Sequence, residues 1–152
     1  MSEIKYTTEY LIIHEEEIDW DELSAYSEKV FTLTEIRLFR RKINWLLYLM
    51  HHKDCFAREI EIEMASKYFS KPSWFLLLTK YTVSEEFLEK HKDEINWRNV
   101  LAHQPVSETF LMEHCNYWNI YSNDIIVESL LMNPNVDSAN WNVLHLYLKL
   151  KN

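Results

Sequence analysis

Apolar and polar residues along this chain come in short blocks that recur with helical spacing. Val83 and Leu88 stand five apart around Ser84, and Val106 and Leu111 stand five apart around Ser107, with acids at Glu85, Glu86 and Glu108 just behind each serine. An apolar pair bracketing a small polar residue in this way is a hydrophobic staple over a helix N-cap, and the acids suit the positive end of the helix that follows. A second start of the same kind recurs further on: Ile18 and Leu23 bracket Asp19, Ile43 and Tyr48 bracket Asn44, and Ile95 and Val100 bracket Asn96. In these three cases a tryptophan is the predicted first helical residue. Two short helices per block are therefore written into the pattern.

The blocks repeat. Tryptophans stand at 20, 45, 74, 97, 118 and 141, with steps of 25, 29, 23, 21 and 23 residues. Aligning Trp20 on Trp97 brings Thr7, Glu9, Tyr10, Leu11, His14, Ile18 and Asp19 onto Ser84, Glu86, Phe87, Leu88, His91, Ile95 and Asn96 without a gap. Near-regular self-similarity at this period is the mark of a repeat array. The prolines agree with the breaks: Pro72 precedes Ser73, read as a cap, Pro105 precedes Val106, and Pro134 follows a helix starting near Ser122. The predicted fold is all-α, a single domain over residues 1–152 built as a solenoid-like stack of about six short helical pairs. Helices this short are marginal alone and must be held by their neighbours. The least regular stretch, Cys55 to Lys71, contains the alternation Glu59, Ile60, Glu61, Ile62, Glu63, which a strand would also explain; its flanks follow the repeat and favour a helix.

Composition narrows the function. Glycine is absent from all 152 residues. Its absence removes the dinucleotide fingerprint, the P-loop and most nucleotide-dependent enzymes, because those loops need close backbone approach. Cys55 and Cys115 fit neither a metal nor a redox spacing and read as small reduced thiols. The apolar runs Trp45–Met50 and Trp74–Leu78 are too short to span a bilayer, and the first residues are unlike a signal peptide, so the expectation is a soluble, cytoplasmic protein with no membrane partner. No cofactor is implied.

The net charge of −8 is confined to one end: residues 1–35 carry ten acids against Lys5 and Lys29, while residues 36–152 balance. Glu15, Glu16, Glu17, Asp21 and Glu22 form the densest part of that acidity. They read as a solvated cap on the first repeat or, alternatively, as a face that docks a basic partner or imitates nucleic acid. The basic group Arg37, Arg40, Arg41 and Lys42, placed on one helix, is expected to pair with this acidic repeat; direct nucleic-acid binding would want a longer positive stripe. Among the histidines, His14, His91 and His114 share one repeat column and His51 and His103 another, which points to packing or capping rather than to shared ligands. His51, His52, Asp54 and Cys55 cluster without the further ligands that a zinc site needs.

A second candidate surface comes from the two positions after each tryptophan. Leu46, Leu47, Phe75 and Leu76 are apolar where the first and fourth repeats carry Asp21, Glu22, Arg98 and Asn99. These side chains are either covered by the segment after Cys55 or form a binding or homodimerisation face.

The SEEF and SETF segments at Ser84–Phe87 and Ser107–Phe110, with Asn96-Trp97, Asn44-Trp45 and Asp19-Trp20, resemble short repeats of large-phage and giant-virus proteins, in which an LSEEF segment is followed by an INW segment. The resemblance implies a helical array and a viral source, and no catalytic residue. The resulting expectation is a non-enzymatic protein–protein interaction module, of the phage or viral kind that binds and inhibits a host protein in the host cytoplasm. The alternative is an acidic nucleic-acid mimic or a nucleic-acid-associated protein.

Overall fold

The computed structural model describes residues 5–151. Every regular element among them is helical, and there is no strand. In order these are α1 (Thr8–Ile13), α2 (Trp20–Ala25), α3 (Leu33–Phe39), α4 (Trp45–His51), α5 (Glu59–Ser66), α6 (Lys71–Lys80), α7 (Glu85–Lys90), α8 (Trp97–His103), α9 (Glu108–Glu113), α10 (Cys115–Trp118), α11 (Asn123–Met132) and α12 (Asn142–Lys151), with a 3-10 turn at Ser138–Asn140. The glutamate–isoleucine alternation lies in α5 and is helical.

The predicted caps form. Side chains of Asp19 and Asn44 accept the backbone N–H three residues on, as do Ser84, Ser107 and Ser122. Thr7 caps α1 in the same way, and Thr32 completes a capping box with Glu35 on α3. Trp20, Trp45 and Trp97 each open a helix. The third repeat differs. Ser70, not Ser73, accepts the cap bond there, from the Ser73 N–H at 3.3 Å, and α6 begins at Lys71. Pro72 is thus inside the first turn, where a missing N–H costs nothing because it has no intrahelical acceptor.

No described residue has a positive φ. The helices of a glycine-free chain must therefore stop by another route, and for α1, α7 and α9 His14, His91 and His114 supply it. Each is the C-cap of its helix, at φ/ψ of −106/18, −108/21 and −112/22, and each returns its backbone N–H to carbonyls of the last turn. This near-bridge conformation is open to any residue with a Cβ. The histidine column is a stop signal.

The chain divides into two compact bodies, residues 1–76 and 77–152. In the first, α2 lies against α4 and α3 against α5; in the second, α8 lies against α10 and α11, and α9 against α12. Helices pair with helices of a later repeat, and short elements gain their stability from this packing. Leu11, Ile36, Tyr48 and Leu49 are fully buried in the first body, and Leu88, Leu101, Leu111, Trp118 and Ile126 in the second.

Two polar devices recur in this packing. The indole N–H of Trp20, Trp45 and Trp97 donates to the carbonyl five residues earlier, on Glu15, Arg40 and Lys92, at 3.0, 2.9 and 3.0 Å. Each tryptophan thereby ties its own helix start to the end of the preceding turn. The second device is a buried polar side chain just past a helix end. His52, following α4, places its ring nitrogens 2.8 and 2.7 Å from the Tyr48 and Lys29 carbonyls. Gln104, in the equivalent place after α8, donates to Leu78 and Tyr81 and accepts from the Val83 N–H. Asn133, after α11, donates to the Leu101 and Gln104 carbonyls, both at 2.9 Å. Loop carbonyls that would be orphaned by burial are satisfied this way.

Candidate functional site

The acidic segment is shaped by the turn between α1 and α2. After the His14 cap, the N–H groups of Glu17 and Ile18 return to the His14 carbonyl, and Asp19 then caps α2. This tight turn holds Glu15, Glu16 and Glu17, while Asp21 and Glu22 occupy the first turn of α2. Glu16, Glu17, Asp21 and Glu22 are exposed and Glu15 is half-buried.

The structure sorts these acids into two sets. Glu16 accepts from Lys42 at 3.2 Å, and Asp21 accepts from the Asn44 side chain at 3.0 Å, so both face the neighbouring repeat. Glu17, Asp19 and Glu22 instead line a groove of about 650 Å³ between α1 and α2. Three tyrosines share it. Tyr6 stands edge-on to Tyr10 (centroids 5.7 Å apart, planes at 88°) and to Tyr26 (6.2 Å, 73°), and the His14 ring lies 4.2 Å from Tyr10. Glu17 accepts from or is bridged to His14 Nδ1 at 3.1 Å, and one Asp19 oxygen takes the Glu22 N–H. The Tyr26 hydroxyl donates to Glu28 at 2.9 Å.

The sequence reading found the carboxylates and missed the tyrosines. Their signal was present in the repeat register, where Tyr6 and Tyr10 fall on Val83 and Phe87 and Tyr26 falls on His103. Two apolar positions of the later repeat, Val83 and Phe87, thus carry a phenol hydroxyl in the first, beside the acids.

The basic group is dispersed. Only Arg37 is within α3; Arg40 is its C-cap, and Arg41 and Lys42 lie in the turn beyond. Lys42 meets the acidic repeat as expected, whereas Arg41 Nε donates to the Tyr68 hydroxyl at 3.0 Å and the Arg40 guanidinium sits 5.7 Å from the Tyr68 ring centre. The cause is the packing of α5 on α3, which brings the residue just beyond α5 to the end of α3. The Arg41 hydrogen bond holds the Tyr68 phenol below its ordinary value.

Of the apolar candidates, Leu46 and Leu47 on α4 and Leu76 on α6 are half-buried, and Phe75 is 51% exposed. Cys55 is buried and Cys115 half-buried, with no disulfide between them. Among the described residues no group of three or more His, Cys, Asp or Glu is arranged to hold a metal ion, and no helix is long and apolar enough to cross a membrane.

A second groove, in the C-terminal body, is lined by Glu85, Glu86, Glu89, Lys92, Phe110, Glu113, His114, Asn116 and Tyr117. Lys92 bridges Glu89 at 2.9 Å, and His114 Nε2 also meets Glu89. The Lys92 and His114 hydrogen bonds hold the Glu89 carboxyl below its ordinary value. This groove is acidic at its edge but already carries its own cation.

No protein-family model matches the chain, and neither do any curated proteins or solved structures. The fold and site define an all-α protein of short repeated helices, with an acidic, tyrosine-lined groove in its N-terminal body.

Proposed function

We propose that this chain is a non-enzymatic protein-interaction module that docks a protein partner through the acidic face at the start of its N-terminal body. The observation that carries this reading is the set of exposed carboxylates grouped about the tyrosine groove, on a chain whose charge beyond residue 35 balances to zero. Clustered charge of one sign steers and orients a partner of the other. The repeat resemblance extends the proposal: a large-phage or giant-virus product acting in the host cytoplasm, which binds and inhibits a host protein. A nucleic-acid-binding partner, with the acids standing in for phosphates, is the second form of the same reading and is favoured by the same exposed acids.

The test is capture of a partner from a host lysate by the intact protein, beside a variant with Glu15, Glu16, Asp21 and Glu22 reversed to lysine. Capture is expected to fall at least tenfold in the variant and to weaken steeply as salt rises. Displacement of the partner by added DNA or RNA would select the mimic. Retention by the charge-reversed variant, with loss when Leu46, Leu47, Phe75 and Leu76 are made polar, would overturn the acidic face in favour of the apolar one, to which the half-exposed Phe75 belongs.

A further inference from the structure

We propose that the groove between α1 and α2 is a receptor for an arginine side chain carried on a basic segment of a protein partner. The inference rests on the reading of the acidic face as a docking surface and gives that surface its chemistry. Its first support is the aromatic wall. Tyr6 meets both Tyr10 and Tyr26 at steep angles, 88° and 73°, so the three rings make corners instead of a closed stack. Ring faces arranged in this way attract a cation through their quadrupoles.

The second support is the charge that goes with the wall. Glu17, Asp19 and Glu22 line the groove, and no lysine or arginine does. Glu17 is engaged by His14, and Asp19 spends one oxygen on the Glu22 N–H. The Glu22 carboxylate and the second Asp19 oxygen have no partner among the described residues. They sit at the start of one helix, three residues apart, and together offer acceptors to a forked donor. The groove of the C-terminal body is the natural comparison: it also has carboxylates, but Lys92 already bridges Glu89 there.

Three alternatives fit less well. A divalent metal needs converging carboxylates, and no such group exists among the described residues. Nucleic acid is repelled by the same charges. An ammonium ion is a compact point charge, whereas a guanidinium is planar, stacks on aromatic faces and donates in pairs to carboxylates. A volume of about 650 Å³ exceeds a single guanidinium and has room for the flanking backbone of a peptide.

The experiment is a titration of the isotope-labelled full-length protein, followed by NMR, with a synthetic peptide of alternating arginine and serine. A second peptide with each arginine replaced by neutral citrulline is run beside it. The arginine peptide is expected to shift the signals of Tyr6, Tyr10, Tyr26 and Glu22 in a saturable way, and the citrulline peptide to leave them unmoved. Tyr26→Leu and Glu22→Gln, both at exposed positions, are each expected to weaken binding about fivefold or more, in line with a cation–π contact or a charged hydrogen bond. Unchanged signals from residues 33–66, in the same body as both substitutions, establish that the variants remain folded.

Equal binding by the citrulline peptide overturns the inference, as does an arginine peptide that binds nowhere. An affinity untouched by Tyr26→Leu but lowered by Glu22→Gln, or shifts confined to Glu15, Glu16 and Asp21, also overturns it while leaving the acidic face as the docking surface. Failure of the lysate capture would instead remove the docking surface itself.

Discussion

Single residues in this protein do unlike jobs at alike positions, and Glu35 is the sharpest case. Its carboxylate is 1% exposed, takes two bonds from Lys29 at 2.8 and 3.0 Å, and also accepts the Thr32 N–H and the Thr8 hydroxyl. Burial by itself would raise its pKa; the Lys29, Thr32 and Thr8 hydrogen bonds outweigh burial and hold it below the ordinary 4.5. A depressed folded-state value means that the stability from this group is present in full above 4.5 and is lost as the pH falls through the lower folded value. Glu35→Gln strands the Lys29 ammonium, which is expected to cost about 3 kcal/mol at neutral pH. Denaturant melts of both proteins against pH check this: the gap between them should be level at neutral pH and narrow in acid. A gap that widens in acid would contradict the assignment. Nothing in the pattern of apolar positions marks Glu35 as buried, because the capping box alone would leave it at the surface.

At the scale of elements, local signals were the legible ones. Caps, staples and tryptophan starts depend on residues within one turn, and they placed α2, α4, α7, α8 and α9 correctly. They failed where two local signals competed, as at Ser70 and Ser73, because either serine can cap and only the path into α6 decides. Amphipathicity of α12 illustrates what packing adds. Leu144 and Leu148 are 1% and 5% exposed, whereas Leu146 and Leu150 on the same helix are 57% and 73% exposed. The expected outcome is a loss of about 2–5 kcal/mol for Leu144→Ala or Leu148→Ala and less than about 0.5 kcal/mol for Leu146→Ala or Leu150→Ala. Urea titrations of the four variants measure it, and equal costs at all four sites would refute the packing of α12 on α9.

For the whole molecule the governing feature is the uneven charge. Ten acids and two bases fall in the first 35 residues of a chain with net charge −8. Among the described residues only part of this is neutralised within the fold, by the lysine pairs Lys29 with Glu35 and Lys42 with Glu16. Exposed like charges destabilise a compact state and are screened over about 10 Å at 0.1 M salt. Thermal melts are therefore expected to move to higher Tm as sodium chloride is raised from a few mM to about 0.2 M. Reversal of Glu15 and Glu22 to lysine should flatten that dependence. A Tm that falls with salt would mean that the ion pairs outweigh the repulsion.

Helicity, repeat register and the N-capping residues follow from side chains acting on their own turn, so they can be read from order along the chain. The acidic end is legible for the same reason, since charge is additive. Which carboxylates face Lys42 and which face the groove, and that Tyr6, Tyr10 and Tyr26 meet beside the latter, depends on how α1 is laid against α2 and on the α2–α4 packing. Those contacts join residues from different turns through directional rings and hydrogen bonds. Linear spacing records the residues involved but not their convergence, and so only the tertiary structure could turn an acidic run and three scattered tyrosines into one groove.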